Sequence, residues 1–389
     1  MTALRSLNLY ALNIPFNVTF QHSTQDRDHG ASVVVRIESE SGHVGYGEGA
    51  PRSYVTGETV DSCFRHLSGV LWPAILEASL PGGDDGDLLA RIDAILPDPP
   101  PAEGVVANHS ARCAMELALM DLLLKEAGRS LADLLPPVST GVQYSGIISG
   151  GSQEKALTHV AFMKSFGFPD VKVKVGGPDT RERLQLLREA LGPEMGLRID
   201  ANEAWEPDEA IEVLRSLSGL GVQSAEQPVN RNQTDALPRI RKEGGVPIMV
   251  DESLVTTEDT LSLIAADACD YFNLRLSKCG GIWRTLWMAE RAREAGVGLQ
   301  LGSHVGESAI LSAAALHVAA YMPDVRWVEG GWGPILLTED VSQERLGFGQ
   351  GGVGQLLTSP GLGIEVLDHR LEAHSVQSLT LLAESGGQT

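Results

Sequence analysis

The chain has 389 residues, of which 43% are hydrophobic and 21% are charged, a composition typical of folded globular proteins. Its 51 acidic and 30 basic residues give a net charge of −21, so its surface repels nucleic-acid backbones and anionic lipids, and we expect neither as a partner. The length exceeds the needs of one small core and predicts a barrel of about 200 residues beside a further domain.

Residues 1–130 show the pattern of an α+β domain. Three segments are rich in β-forming residues and predict a meander or hairpin: 7–20, 32–38 and 44–49. Three segments with helical spacing follow: 60–76, 88–96 and 111–126. Connections rich in glycine, aspartate and proline separate these helices.

The sequence also indicates where the protein is found. It contains no apolar run near the roughly 20 residues of a membrane span, and its start lacks the pattern of a secretion signal. The four cysteines are scattered without metal-binding or disulfide spacing, which favours reduced thiols. We therefore expect a cytoplasmic protein.

Five polar residues recur at intervals of 25 to 27 residues, each at the end of a short, largely apolar run: Lys174, Asp200, Glu226, Asp251 and Lys278. A stretch with helical spacing follows each run. Because one strand plus one helix fills this interval, residues 140–330 are predicted to form parallel β/α units that close into a barrel of seven or eight strands. Polar residues at the carboxyl ends of barrel strands point into one mouth, so these five side chains are expected to share a cavity.

The last part of the chain, residues 331–389, shows a different pattern. Its glycine density rises between residues 347 and 363, and no further strand and helix continue the regular interval. We expect this segment to pack against another part of the chain rather than to form a separate fold.

Asp200, Glu226 and Asp251 are candidate metal ligands. Magnesium binds a few carboxylates and keeps open positions for water or substrate oxygens, so it suits this set, with Mn²⁺ as the alternative. A single acid at the end of a strand is more often a helix cap or a surface residue. Three acids at the ends of three successive predicted strands favour a metal site. Asn202 and Gln227 are candidates for hydrogen bonds to these ligands.

The lysines are candidate acid/base groups. Lys172 and Lys174 alternate on one predicted strand and therefore point to the same face, while Lys278 approaches the cavity from the opposite side. A divalent cation and mutual repulsion are expected to lower their pKa, so that they act as general bases near neutral pH. Alternatively, the lysines only neutralise the acids or bind an anionic substrate, and Lys172 chiefly tunes Lys174.

Metal ligands with lysines on two sides suit the removal of a proton from the carbon next to a carboxylate, because that step builds negative charge that must be stabilised. Returning the proton to the opposite face makes a racemase or epimerase. Expelling a leaving group from the β-carbon makes a dehydratase. When this expulsion is the reverse of an addition, the enzyme is a cycloisomerase. From a different class, the chain could be a noncatalytic carboxylate-binding protein on the same scaffold.

The motifs that carry this chemistry resemble those of the enolase superfamily, specifically its muconate lactonizing enzyme subgroup in the mandelate racemase/muconate lactonizing enzyme family. They are Lys172-x-Lys174, Asp200-x-Asn202, Glu226-Gln227-Pro228, Asp251-Glu252-Ser253 and Lys278-Cys279-Gly280-Gly281. The resemblance implies a modified TIM barrel of the (β/α)7β type, with residues 1–130 as an N-terminal capping domain that the C-terminal tail completes. It also implies a homo-oligomer that acts on a small-molecule carboxylate.

The same resemblance assigns roles to the motif residues. Asp200, Glu226 and Asp251 would bind Mg²⁺, and Lys174 and Lys278 would be the acid/base catalysts, with Lys172 beside them. Muconate-type cycloisomerisation and racemisation of an amino-acid derivative rank almost level, ahead of dehydration similar to that of o-succinylbenzoate synthase.

Family specificity loops should correspond to the segment around Phe20, His22 and Arg27 and to residues 52–57. Similar dipeptide epimerases carry an Asp-x-Asp at the eighth strand, whereas this chain has Glu329 followed by two glycines, which counts against a dipeptide substrate. The alternative is that Glu329 alone binds an ammonium group. Together the predicted substrate-binding residues are Phe20, His22, Tyr54, Asn202, His304, Glu307 and Glu329.

Overall fold

The computed structural model describes residues 2–21 and 26–383, and its first part is an antiparallel sheet followed by helices. The strands are Leu4–Gln21 (β1), Asp26–Ser39 (β2) and Val44–Gly49 (β3). The helices are Val60–His66 (α1), Trp72–Glu77 (α2), Leu88–Ile95 (α3), His109–Glu126 (α4) and Leu131–Leu134 (α5), with a π-helical turn at Leu67–Leu71. Helix α4 is buried along residues 109–124, as expected for a helix that is apolar on most of its surface.

Eight parallel strands form the second sheet, in the same order as in the sequence. After a two-residue strand, Val142–Gln143 (β4), they are Gly146–Ile148 (β5), Asp170–Lys174 (β6), Gly196–Asp200 (β7), Val222–Glu226 (β8), Ile248–Val250 (β9), Tyr271–Leu274 (β10), Gly298–Leu301 (β11) and Val325–Val328 (β12). The N–H of Ser145 donates to the carbonyl of Val328 at 2.8 Å, and Tyr144 forms a parallel bridge with Val328. These contacts join the first and last strands and close the barrel.

Helices follow the barrel strands. They are Gln153–Phe166 (α6), Thr180–Leu191 (α7), Pro207–Ser216 (α8), Leu237–Gly244 (α9), Thr257–Ala265 (α10), Leu276–Cys279 (α11), Ile282–Glu294 (α12), Ala309–Tyr321 (α13) and Gly333–Leu336 (α14), with a 3₁₀ segment at Arg231–Ala236. A helix of eight or more residues follows each of the first seven barrel strands, and only the short α14 follows the eighth. The predicted (β/α)7β form of the TIM barrel is confirmed.

The end of the chain returns to both parts of the molecule. A 3₁₀ turn at Gln350–Gly352 leads into Val353–Gly354 (β13), which pairs with β4 beside the barrel. Asp368–Ala373 (α15) precedes Ser375–Leu382 (β14), which pairs antiparallel with β1 and extends the first sheet. The domain boundaries near residues 130, 140 and 330 stay predictions.

Lys278 does not end a strand, contrary to the sequence prediction. Strand β10 stops at Leu274, and Lys278 lies on the one-turn helix α11. The alternating apolar residues suggested a longer strand, but Leu276 and Cys279 are both buried with helical spacing, which carries the lysine amine back over the strand end.

Two further expectations can be compared with the structure. All four cysteines are buried and unpaired. Across residues 2–21 and 26–383, no helix combines the length and apolar character needed to cross a membrane.

Candidate active site

The parallel register of the barrel places the strand-end residues side by side. Lys174 on β6 pairs in register with Asp200 on β7, and Asp200 pairs with Glu226 on β8. Asp251 follows the last residue of β9. The carboxylates of Asp200, Glu226 and Asp251 are almost completely buried, with at most 1% of each residue exposed. The sequence interval therefore identified residues that share one end of the barrel.

The lysines contact this carboxylate cluster from two sides. The Lys174 amine donates to Asp200 Oδ2 at 2.6 Å and to Asn202 Oδ1 at 2.7 Å. The Lys278 amine donates to Asp251 Oδ1 at 2.8 Å and to the carbonyls of Asp251 and Asn273. Because β8 lies between the strands that carry Asp200 and Asp251, the two amines reach opposite sides of the cluster.

Lys172 occupies the interior of the barrel below these groups. Its amine lies 3.2 Å from Asp200 Oδ2, 3.1 Å from Glu226 Oε2 and 2.9 Å from Glu329 Oε1. Arg198 also contacts Glu329, at 3.3 Å. The buried Glu329 carboxylate is thus already paired with two cations.

Arg275 is a site residue that the sequence reasoning missed. One of its guanidinium nitrogens contacts Asp251 Oδ2 and also lies 3.5 Å from Glu226 Oε1. Asn273, two residues earlier, donates to Glu226 Oε1 at 2.9 Å. A signal for it was present in the sequence, because Asn273 near the end of β10 and Arg275 just after this strand alternate as Lys172 and Lys174 do on β6.

The close charges shift the pKa of the buried groups. Burial and the neighbouring Asp200 raise the pKa of Glu226 to about 7. Burial opposes the charged forms of Asp200 and Asp251, but the adjacent lysines and Arg275 outweigh it and lower both pKa values. Burial likewise opposes the charged form of Lys172, yet the surrounding carboxylates raise its pKa in the metal-free protein. The lowered pKa expected for the lysines beside a divalent cation stays a prediction.

The donor set fits a magnesium ion by its chemistry. Within residues 2–21 and 26–383, no three acidic, histidine or cysteine side chains are arranged around one point where a metal ion could bind. The Arg275 guanidinium, however, spans Glu226 and Asp251 and shows that a positive charge is accommodated between them. Three buried carboxylates on adjacent strands are hard oxygen donors of the type that Mg²⁺ prefers.

A cavity of about 380 Å³ lies over this end of the barrel. Among its lining residues are seven that the sequence singled out: Tyr54, Lys172, Lys174, Asn202, His304, Glu307 and Glu329. Arg275 also lines the cavity and contacts Asp251, which in turn holds the fully buried Lys278. His22 and the side chain of Phe20 lie outside the described residues.

Several cavity residues hold one another in place. The N–H of His304 donates to Glu307 Oε1 at 2.5 Å, and burial is the main cause that raises the pKa of Glu307 to about 8. His304 Nδ1 lies 3.4 Å from Arg275. Asn202 accepts from Lys174 and donates to Glu252 Oε1 at 3.2 Å.

Gln227 supports the loop that carries Asp251. Its side-chain oxygen accepts from the N–H groups of Asp251 and Ser253 at 3.0 and 3.1 Å, and it is fully buried. It therefore positions the metal-ligand candidate without lining the cavity.

A family model described as Enolase C-terminal domain-like matches residues 156–370, more than half of the chain. This chain belongs to the enolase superfamily. It is similar to the N-succinyl-L-Arg/Lys racemase of Bacillus cereus, with 29% identity over 96% of this chain and 98% of that protein. It is also similar to the chloromuconate cycloisomerase of Pseudomonas putida, with 28% identity over 93% and 96% of the two chains.

Among solved structures, a dipeptide epimerase from Cytophaga hutchinsonii, complexed with Mg and the dipeptide D-Ala-L-Val, superposes with a TM-score of 0.84. The identity is 31%, and the match covers 97% of this chain and 99% of that one. Racemase, epimerase and cycloisomerase relatives make this enolase-superfamily member an isomerase of the mandelate racemase and muconate lactonizing enzyme type, which argues against the noncatalytic alternative.

Proposed function

We propose that this protein is a Mg²⁺-dependent racemase or epimerase that removes the proton α to the carboxylate of an amino-acid derivative. The observation that carries the proposal is the approach of two lysine amines, from Lys174 and Lys278, to two different carboxylates of one buried cluster. Inversion at a carbon needs one group to take the proton and another to return it on the opposite face. The racemase and dipeptide epimerase relatives support the same reaction class.

Asp200, Glu226 and Asp251 would hold the Mg²⁺ ion, with Mn²⁺ as the alternative metal. When bound, the ion would offset the negative charge that develops on the substrate carboxylate as the α-proton leaves. Lys174 and Lys278 would exchange the proton with the substrate carbon. Lys172 would balance the charge of the carboxylates from below, as its three ion pairs indicate.

The residues at the cavity wall favour a substrate without a free ammonium group. Glu329 stands where similar dipeptide epimerases carry a pair of acids, but its carboxylate is paired with Lys172 and Arg198. The residues that follow it, Gly330 and Gly331, offer no side-chain acceptor. An N-acylated amino acid satisfies these conditions because its nitrogen is neutral.

Cycloisomerisation of an unsaturated dicarboxylate is the second candidate. The Glu329 carboxylate is already paired with Lys172, which favours a substrate without an ammonium group. An unsaturated dicarboxylate meets this condition. The similarity to a chloromuconate cycloisomerase points the same way. This reaction needs one acid/base lysine, whereas racemisation needs two.

The test is ¹H NMR in D₂O with Mg²⁺, using N-acylated amino acids, dipeptides and cis,cis-muconate as substrates. With a chiral N-acylated amino acid, Lys174→Met and Lys278→Met should each abolish racemisation, while each keeps α-proton exchange with only one enantiomer. Lys242→Met, an exposed lysine on α9, should behave as wild type. Circular dichroism spectra establish that each variant is folded.

Other results would change the assignment. If the wild-type protein lactonises muconate and only one of the two lysine variants loses this activity, the result would favour the cycloisomerase. Absence of both exchange and lactonisation with the wild-type protein would refute α-proton chemistry.

A further inference from the structure

The turn at residues 52–56, which we call the capping turn, carries Tyr54 from the N-terminal part of the chain to the wall of the cavity. The N–H groups of Val55 and Thr56 both donate to the carbonyl of Arg52, at 2.9 and 3.0 Å. These bonds fix the shape of the turn. Its attachment to the barrel depends on other contacts.

Arg231, in the 3₁₀ segment after β8, binds the capping turn from the barrel. Its Nη2 donates to the carbonyl of Tyr54 and its Nη1 to the carbonyl of Val55. Glu203 holds Arg231 in turn, because its Oε1 accepts from the Arg231 backbone N–H at 2.7 Å and lies 3.5 Å from Nε. A planar guanidinium that donates to two successive carbonyls fixes the orientation of the peptide between them.

The capping turn has a second attachment, to the loop after β11. Arg52 Nη2 donates to the carbonyl of Val305 at 2.9 Å, next to His304 in the cavity wall. Two strands separate β8 from β11 in the sheet. The two arginines therefore attach the turn to two distant points of the barrel rim, and without Arg231 only one of these attachments would remain.

Apolar packing under the capping turn is limited. Val55 is buried with Ala107 and Val255, and these three residues form a cluster that is separate from the main core. Tyr54 leaves 37% of its surface exposed. Because a three-residue contact buries little apolar surface, we expect the hydrogen bonds of Arg231 to contribute much of the attachment.

Glu203 connects this attachment with the reacting end of the cavity. It follows Asn202, and the two residues have φ values of 65° and 46°, in the left-handed region that side chains rarely adopt. The Glu203 N–H donates to the carbonyl of Gln227 at 2.9 Å, and the Asn202 N–H donates to Asp200 Oδ1 at 3.0 Å. Asn202 also accepts from Lys174, so one constrained segment holds both Arg231 and a partner of this lysine.

We propose that Arg231 is a positioning residue that holds the capping turn against the barrel and thereby keeps Tyr54 at the wall of the cavity. Among the described residues, Tyr54 lines the cavity and Arg231 does not, so the effect of Arg231 passes through the turn. Its acceptors are backbone carbonyls, so the attachment does not depend on the side chain at position 54. The consequence for catalysis rests on the proposed function.

The first test is amide hydrogen exchange of the full-length protein in MgCl₂, read by mass spectrometry of peptides that cover the capping turn. Release of the turn from the barrel should loosen the hydrogen bonds of the Val55 and Thr56 amides. In Arg231→Met we expect these amides to exchange about 10- to 100-fold faster, the factor for one hydrogen bond to a charged group. Arg231→Lys keeps one charged donor and should lie between this variant and wild type.

Two controls separate this effect from a general loss of stability. Peptides of β14 should exchange at the wild-type rate in Arg231→Met. Arg239→Met removes an arginine of α9 whose exposed ion pairs are with Asp208 at 2.8 Å and Glu243 at 3.3 Å, and its capping turn should exchange as in wild type.

The second test is the rate of α-proton exchange in D₂O with the substrates used to test the proposed function. Arg231→Met should lower kcat/KM about 10-fold, chiefly through a higher KM, because the cavity loses part of its wall. Tyr54→Ala should act in the same way. The double variant should lose no more than the larger of the two single effects, since both changes remove the same wall, and Arg231→Lys should restore part of kcat/KM.

Three results would overturn the proposal: unchanged exchange of the turn amides in Arg231→Met, additive losses in the double variant, or faster exchange that extends to β14. If Arg231→Met does not fold, Arg231→Lys carries the same comparisons. Faster exchange confined to the turn, with no α-proton exchange of any substrate by wild type, would reject the proposed function and support the attachment by Arg231. Normal α-proton exchange by Arg231→Met would reject the positioning role and leave the proposed function standing.

Discussion

At the scale of single residues, charge compensation decides the form of the site. Lys172 and Lys174 were predicted to share one face, and both do contact Asp200. Their surroundings differ, because Lys172 touches three carboxylates and is almost completely buried, while Lys174 touches the Asp200 carboxylate and is partly exposed to the cavity. The two lysines share a face because side chains alternate along a strand. The number of carboxylates that each one contacts depends on how deep it lies in the barrel.

Arg275 provides a prediction at this scale. Arg275→Met removes a cation that contacts both Asp251 and Glu226, so in EDTA we expect a loss of about 3–5 kcal/mol in the free energy of unfolding. Mg²⁺ would restore positive charge between these acids, so the melting temperature should rise more on addition of MgCl₂ for the variant than for wild type. Thermal melts in EDTA and in MgCl₂ measure both effects.

The control for Arg275 is Arg215→Met. Arg215 forms an exposed ion pair with Glu243 at 3.2 Å, and its loss should change stability by less than about 1 kcal/mol. Equal Mg²⁺-induced shifts for wild type and Arg275→Met would contradict a metal site between these carboxylates.

At the scale of elements, strand β3 and helix α4 pack with their backbones in close approach. Gly45, Gly47 and Gly49 alternate on one face of β3, and a Cβ atom on each would collide with the backbone of α4. The helix residues at the contact are Ala118, Ala114 and Ser110, spaced by one turn. A glycine on every second position thus fits a helix that offers small residues every fourth position.

Gly47→Ala should therefore be strongly destabilising. The added Cβ would lie 2.0 Å from the carbonyl oxygen of Ala114 and 2.5 Å from the nitrogen of Ala118, and neither backbone atom can move independently. We expect a loss of about 3 kcal/mol or more in the free energy of unfolding, measured by urea denaturation. In Gly69→Ala nothing lies within 4 Å of the new atom, so a comparable loss there would contradict the steric explanation.

At the scale of the whole molecule, His109 at the start of α4 connects the N-terminal part to the barrel. Its ring is fully buried, Nδ1 donates to the carbonyl of Lys278 at 2.7 Å, and Nε2 accepts from Arg284 at 3.1 Å. Burial and Arg284 lower the pKa of His109 to about 4. The neutral ring is the form that serves both contacts.

This contact predicts a pH dependence of stability. The folded pKa of about 4 lies below the ordinary value of 6.5, so the unfolded chain binds the proton more readily, and stability is lost as the pH falls through this window. The loss due to this group is up to about 3 kcal/mol. His109→Gln should be less sensitive to pH between 6.5 and about 4 in urea denaturation.

The exposed His369 on α15 supplies the control for this measurement. His369→Gln should keep the pH profile of wild type. If His109→Gln also keeps it, the buried ring does not contribute to the pH dependence.

The amino-acid sequence by itself determined the barrel, the three strand-end acids and the pair of alternating lysines, because strand and helix periods are local and the chain repeats them at a regular interval. Only the tertiary structure decided that Arg275 spans two of the acids, that Lys278 lies on a short helix, and that a face of α6 lines the cavity. These features depend on contacts between residues that are far apart in the chain. Packing of whole elements fixes such contacts, and local spacing does not encode them.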